Sequence, residues 1–124
     1  MEYSFYQISS KKNQQVEGGL TKRSLGCESS PDLFLFFWLD QDGVVQHMQF
    51  LFFERLFDWR NKVGFTLYRT NRLDQANQKV GYQKGARSLE EEENPEAEAQ
   101  AREILETAQI PEPFGRMVKE ILKR

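Results

Sequence analysis

Residues 32–53, DLFLFFWLDQDGVVQHMQFLFF, hold six of the chain's ten phenylalanines and one of its two tryptophans around a single polar break. Runs of aromatic and branched residues bounded by Asp and Gly have strand character. Asp40-Gln41-Asp42-Gly43 between them is a hairpin turn, with Gly43 free to take a positive φ. Leu33 to Leu39 is therefore one strand and Val44 to about Phe57 its antiparallel continuation. Side chains on a strand alternate between faces. Leu33, Leu35, Phe37 and Leu39 share one face, and Phe34, Phe36 and Trp38 the other. On the second strand Met48, Phe50, Phe52 and Leu56 alternate with Val45, Leu51, Phe53 and Phe57, so both faces are expected to be apolar. A sheet with one wet face would alternate apolar with polar. One face then calls for helices, and the other for a second copy of the chain or for closure of the sheet on itself.

Working outward, Tyr3 to Ile8 is a first strand, and Gln14 to Thr21 a weaker one in which Gly18 and Gly19 suggest a bulge or bend. KRSLGCESSP, residues 22–31, has loop composition. GFTLYRT, residues 64–70, follows the turn RNKVG and is the last strand. About five antiparallel strands in meander order result, since short connections favour neighbours.

Four consecutive glutamates, Glu90 to Glu93, repel one another and mark residues 88–94 as a solvated acidic linker. Helical signals follow. Asn94 is the N-cap, Pro95 the first helical residue, and Glu96 and Glu98 sit near the positive end of the dipole. Ala97, Ala101, Ile104, Leu105 and Ala108 form one stripe of a helix that stops before Pro111. A second helix opens at Pro113 with Phe114, Met117, Val118, Ile121 and Leu122 as its apolar stripe. Helices this short need a surface to cover. The expected architecture is α+β: residues 1–87 form an antiparallel sheet, 88–94 a linker and 95–124 a helical hairpin packed on one face, all one compact domain.

With 124 residues, two independent cores would each be marginal. The apolar content of 39% is low, yet the aromatic content argues against wholesale disorder. Cys27 stands alone, so no intrachain disulfide forms, and the start MEYSFYQISSKKNQQ lacks the apolar run of a secretory signal. No apolar run approaches the ~20 residues of a membrane helix. A soluble, cytoplasmic protein is expected.

No motif commits the chain to a reaction, and neither cofactor nor metal is expected. DQDG opens like a calcium loop, but Gly43 comes two places early and Leu51 stands where a closing glutamate belongs. Cys27 and the only histidine, His47, with Asp40, Asp42 or Glu54 to orient the ring, make a weak nucleophile-base pair. Glu54 and Arg55 interrupt an apolar strand and mark an edge, a bend or an ion pair. Residues 55–88 carry eight basic side chains against Asp58 and Asp74. Arg60, Lys62, Arg69, Arg72, Lys79, Lys84 and Arg87, with Trp59, Phe65, Tyr68 and Tyr82 between them, suit single-stranded nucleic acid, the alternative function. The leading expectation is a non-enzymatic interaction or binding module whose partner is a second copy, as a homodimer, or another protein, with Phe34, Phe36, Trp38, Phe50 and Phe52 as the self-association face; a small enzyme is the third reading.

Overall fold

The polar breaks between the aromatic runs are turns, and they set the topology. The structure, a computed structural model, describes residues 3–8, 16–70 and 89–123, with only the backbone described at 16, 17 and 89. The strands are β1 (Phe5–Gln7), β2 (Val16–Glu17), β3 (Leu20–Cys27), β4 (Phe34–Leu39), β5 (Val45–Phe52), β6 (Arg55–Arg60), β7 (Gly64–Thr70) and β8 (Leu89–Glu91). Two helices follow, α1 (Pro95–Thr107) and α2 (Phe114–Leu122). From β3 to β8 each strand pairs antiparallel with the next, while β1 and β2 share the outer edge of β3. The α+β class, the meander and the helical tail are as expected. Among the described residues the sheet has eight strands rather than about five.

Three segments differ from their sequence reading. Residues 22–27 are not loop but most of β3, entered from β2 through Gly18 and Gly19 at φ 57° and 81°. The alternation is there, with Lys22 and Ser24 on one face and Leu25 and Cys27 on the other, but Gly26 breaks it. That glycine lies under the Tyr6 ring, where a Cβ would come within 3.0 Å of the phenol oxygen. Second, the long strand 44–57 is two strands. Phe53 and Glu54 form a two-residue turn with φ 43° and 68°, the positive pair of a type I′ hairpin. Thr70 holds it through N–H and hydroxyl donors to the Glu54 carbonyl, at 2.9 and 2.8 Å. This turn resets the phase, so that Phe57 and not Leu56 lies beside Phe50. Third, Leu89–Glu91 within the acidic stretch pairs with β7 as a strand. Glu90 stands opposite Arg69, and Glu92 accepts from Arg55 Nε at 2.8 Å, so cations of the sheet relieve the repulsion among the glutamates.

The register aligns Leu25, Leu35, Phe50, Phe57 and Leu67 in one row across five strands. The next row on that face runs Phe37, Met48, Trp59 and Phe65. All but Phe65 are buried. Ala97, Ala101, Ile104 and Leu105 of α1 and Phe114, Val118 and Ile121 of α2 join them in a single core. The Asn94 side chain caps α1 by accepting from the Ala97 N–H at 3.0 Å, and the chain turns extended at Ala108. Phe114 meets Phe37 with ring centroids 5.1 Å apart, and the Arg102 guanidinium lies 4.5 Å over the Phe65 ring. Among the described residues no helix is long and apolar enough to cross a membrane.

Since Phe114 is 3% exposed and seats α2 on the sheet, Phe114→Ala should lower the unfolding free energy by about 3–5 kcal/mol in a denaturant titration. Deleting residues 95–124 should give protein that binds ANS and unfolds without cooperativity. A cooperatively unfolding fragment 1–94 would show the helices to be dispensable.

Candidate functional site

The side of the sheet turned away from the helices is neither core nor ordinary wet surface. Its residues follow from the register: Ser24, Phe36, Gln49, Asp58 and Thr66 form the central row. Lys22, Trp38, His47 and Arg60 lie to one side of it, and Gly26, Phe34, Leu51, Leu56 and Tyr68 to the other. Phe34, Phe36 and Trp38 stand in a column along β4, with successive ring centroids 6.2 and 6.3 Å apart. Lys22 reaches across from β3 and places its ammonium 4.8 Å from the Phe36 centroid and 5.4 Å from that of Trp38. All three rings are half-buried.

Beside the column is a polar cluster built on β5 and β6. The Asp58 carboxylate is almost inaccessible, its side chain only 5% exposed. His47 Nε2 lies 2.5 Å from Asp58 Oδ1, Gln49 Nε2 donates to the same oxygen at 3.0 Å, and Arg60 Nε donates to Oδ2 at 3.3 Å. Burial pushes the Asp58 carboxyl up. The hydrogen bonds from His47 and Gln49, with the charges of His47 and Arg60, outweigh it and hold the group below its ordinary range. An ionised carboxylate can only accept, so the His47 proton sits on Nε2 and the ring is fixed. Trp38 stacks on that ring with centroids 4.5 Å apart and planes at 20°.

The candidate residues are divided by this geometry. Phe34, Phe36 and Trp38 share the helix-free face, but Phe50 and Phe52 lie on the other, 0% and 1% exposed in the core. They were grouped together because alternation within each strand does not fix the phase between strands. The face is also less apolar than expected, since Gln49, His47 and Asp58 occupy its centre. Cys27 and His47 do not meet. Cys27 is buried on the helix-covered side near Ser29, while His47 is on the opposite face, level with Lys22. Lys22 to Cys27 alone spans about 17 Å of strand. Asp40 does not orient His47 either; it accepts from the amides of Asp42 and Val44 and from Gln46 Nε2, each at 2.9 Å. Glu54 lies in the turn at the far end of β5.

Of the basic residues, Arg60 projects from the helix-free face, Lys62 sits in the β6–β7 turn, and Arg69 belongs to the opposite face beside Glu90. Trp59 is core and Phe65 stacks on Phe57 at 4.6 Å, which removes both as stacking platforms. Arg72, Lys79, Lys84, Arg87 and Tyr82 lie outside the described residues. Asp58 as the partner of His47 was not foreseen. The signal was the Phe53-Glu54 turn, which sets Gln49 against Asp58 and His47 one step along the same face.

Two concavities flank α2. One of about 560 Å³ lies between the helices, lined by Leu105, Ile110, Glu112, Arg116 and Lys119 among others. The other, about 270 Å³, lies between α2 and the β4–β5 turn. Among the described residues no three His, Cys, Asp or Glu side chains are grouped to hold a metal ion. No protein-family model matches the chain, and neither a curated protein nor a solved structure matches it.

Because the Asp58 carboxyl titrates below its ordinary value, the stability it contributes is complete above about pH 4 and is lost as pH falls through the depressed value. Asp58→Asn should therefore cost about 1–3 kcal/mol at neutral pH. The difference from the unmodified protein should shrink in acid unfolding curves below about pH 4. A constant difference across that range would mean that the carboxylate charge is irrelevant.

Proposed function

We propose that the protein is a non-enzymatic interaction module that self-associates through the helix-free face of its sheet. The observation that supports this is the Phe34, Phe36 and Trp38 column lying beside a polar cluster whose hydrogen bonds are already made. Asp58 is satisfied by His47, Gln49 and Arg60 from its own chain. Covering it with a partner leaves no carboxylate oxygen unpaired, which is the usual cost of burying a polar surface. The aromatic rings meanwhile gain contacts they lack in the free chain, and aromatic residues are the side chains enriched in interface cores.

Size limits the strength. Five strands at about 4.8 Å and five residues at about 3.4 Å give a face of roughly 24 by 17 Å. Counted on both copies that is about 800 Å², below the ~1,200–2,000 Å² of specific, stable interfaces. The association is accordingly weak and concentration-dependent.

Sedimentation at tens of micromolar should show self-association. Phe36→Asp should lower the mean mass while the circular dichroism and unfolding midpoint stay near those of the unmodified protein. Phe50→Asp, on the adjacent strand next to Gln49 and buried on the opposite face, should unfold the protein instead. A monomeric unmodified protein at these concentrations would sink the proposal, as would a Phe36→Asp protein that no longer folds, because the face would then be structural.

A further inference from the structure

His47 stands on the helix-free face, and its two ring nitrogens are in different positions. Nε2 is spent on Asp58 Oδ1, at 2.5 Å. Nδ1 makes no hydrogen bond within the chain. Among the described residues the one fully buried side-chain nitrogen or oxygen without a partner is Arg23 Nη1, so His47 Nδ1 is in contact with water. The His47 side chain is 15% exposed, and Trp38 shields one flat side of the ring. What the ring shows to solvent therefore includes the one atom at which it can take a second proton.

Few charged groups surround the ring. From β6 come Asp58, in contact with Nε2, and Arg60, the residue paired with His47 across the ladder. From β3, Lys22 faces it across Trp38. Gln49, its neighbour on the same side of β5, is uncharged and bonded to Asp58. Of the other carboxylates on this side, Asp40 is engaged by the amides of its own turn and by Gln46, and Glu91 lies three strands away beside Tyr68. A proton on Nδ1 thus adds positive charge to a row that already holds two cations, Lys22 and Arg60. The one carboxylate touching the ring, Asp58, is shared with Gln49 and Arg60.

Covering the face changes the surroundings of Nδ1 more than those of Nε2, because Asp58 is buried and bonded to the ring whether or not a partner is present. In the neutral ring Nδ1 only accepts. In the protonated ring it is an N–H donor bearing part of a positive charge, and closing a contact over it removes the water that satisfied it. We infer that His47 makes self-association through the helix-free face sensitive to pH, the neutral ring permitting the contact and protonation at Nδ1 opposing it. The inference rests on the self-association proposed above and assigns its regulation. By linkage, a contact that excludes a proton weakens as pH falls through the range in which histidine gains its charge, about pH 8 to 5. Asp58 keeps its own charge throughout that range, since its carboxyl is held below its ordinary value.

Sedimentation of the full chain at tens of micromolar, at about pH 8 and about pH 5.5 in one ionic strength, reads the effect. The association constant should be about three- to tenfold lower at the acid pH, the scale of one unpaired charge at a partly wet contact, with the circular dichroism unchanged. His47→Gln, which carries no titrating group at this position, should associate equally at both pH values. Dilution calorimetry of the unmodified protein at about pH 6.5, in two buffers of different ionisation enthalpy, reads the same proton without that variant and serves if the variant does not fold. Dissociation should take up protons, so its heat should depend on the buffer. Association that is as strong or stronger in acid would overturn the pH switch and leave the face standing, as would a heat independent of the buffer. An unchanged pH dependence in a folded His47→Gln protein would remove the assignment to His47. No association at about pH 8 would sink the self-association itself, and the switch with it.

Discussion

The pairing that brings Leu25, Leu35, Phe50, Phe57 and Leu67 into one row across five strands is the constraint on which the molecule depends. Side chains alternate with a period of two, so a slip of one residue in any ladder would exchange that strand's contribution to the two faces. A slip in β6 would send Asp58 beneath the helices without His47 or Gln49 and expel Phe57, leaving a buried carboxylate unpaired. Two devices hold the phase. Asp40 fixes the β4–β5 turn by binding its amides, with a bulge at Trp38/Leu39 absorbing the odd residue. Phe53 and Glu54 fix the β5–β6 turn by adopting positive φ, a conformation whose twist suits a two-residue hairpin. The helices answer to this row: their apolar stripes would be unstable in water, and the row is the surface that shelters them.

How much of this was legible from sequence follows from the range of each signal. The tail could be read almost residue by residue because its signals are local: Asn94 caps, Pro95 starts, Pro111 stops, and the stripe positions recur within one helix. Strand β7 was equally plain, since turn residues bound GFTLYRT on its N-terminal side. Strand β3 was not, because Lys22, Arg23 and Ser24 carry the polar composition of a loop, and what makes them a strand is pairing with β1, β2 and β4. The Phe53-Glu54 turn was hidden for the opposite reason. Phe and Glu are poor candidates for positive φ, and the aromatic run passes through them without a glycine to mark the break. From that one turn come both the displacement of Phe50 and Phe52 from the expected face and the meeting of His47 with Asp58.

The cluster around Asp58 makes its hydrogen bonds within the chain. Both carboxylate oxygens already accept hydrogen bonds, and His47 is committed through Nε2 and held flat against Trp38. A catalytic base needs a substrate proton within hydrogen-bond reach and a nucleophile needs its base beside it. Cys27, the one thiol, lies across the sheet from His47. What the cluster does provide is a polar centre beside the aromatic column of β4. It also favours the observed phase of β5 against β6, because His47 and Gln49 face Asp58 in that register.

The sheet edges decide where further contacts can form. An exposed edge strand offers unpaired amides and carbonyls to any other chain, and short or charged edge strands guard against this. One edge here is β8, three residues long and running directly into Glu92 and Glu93, so a second copy approaching it would bring glutamate against glutamate. The other is divided between β1 and β2, of three and two residues, which leaves no long ladder to extend. Among the described residues, the outermost strand at each edge is thus too short or too acidic to favour edge-to-edge growth. Among the described residues the helices cover one face, and the aromatic face that carries Phe36 is the one they leave open. A partner at that face would have to be held by side-chain shape and charge rather than by backbone pairing.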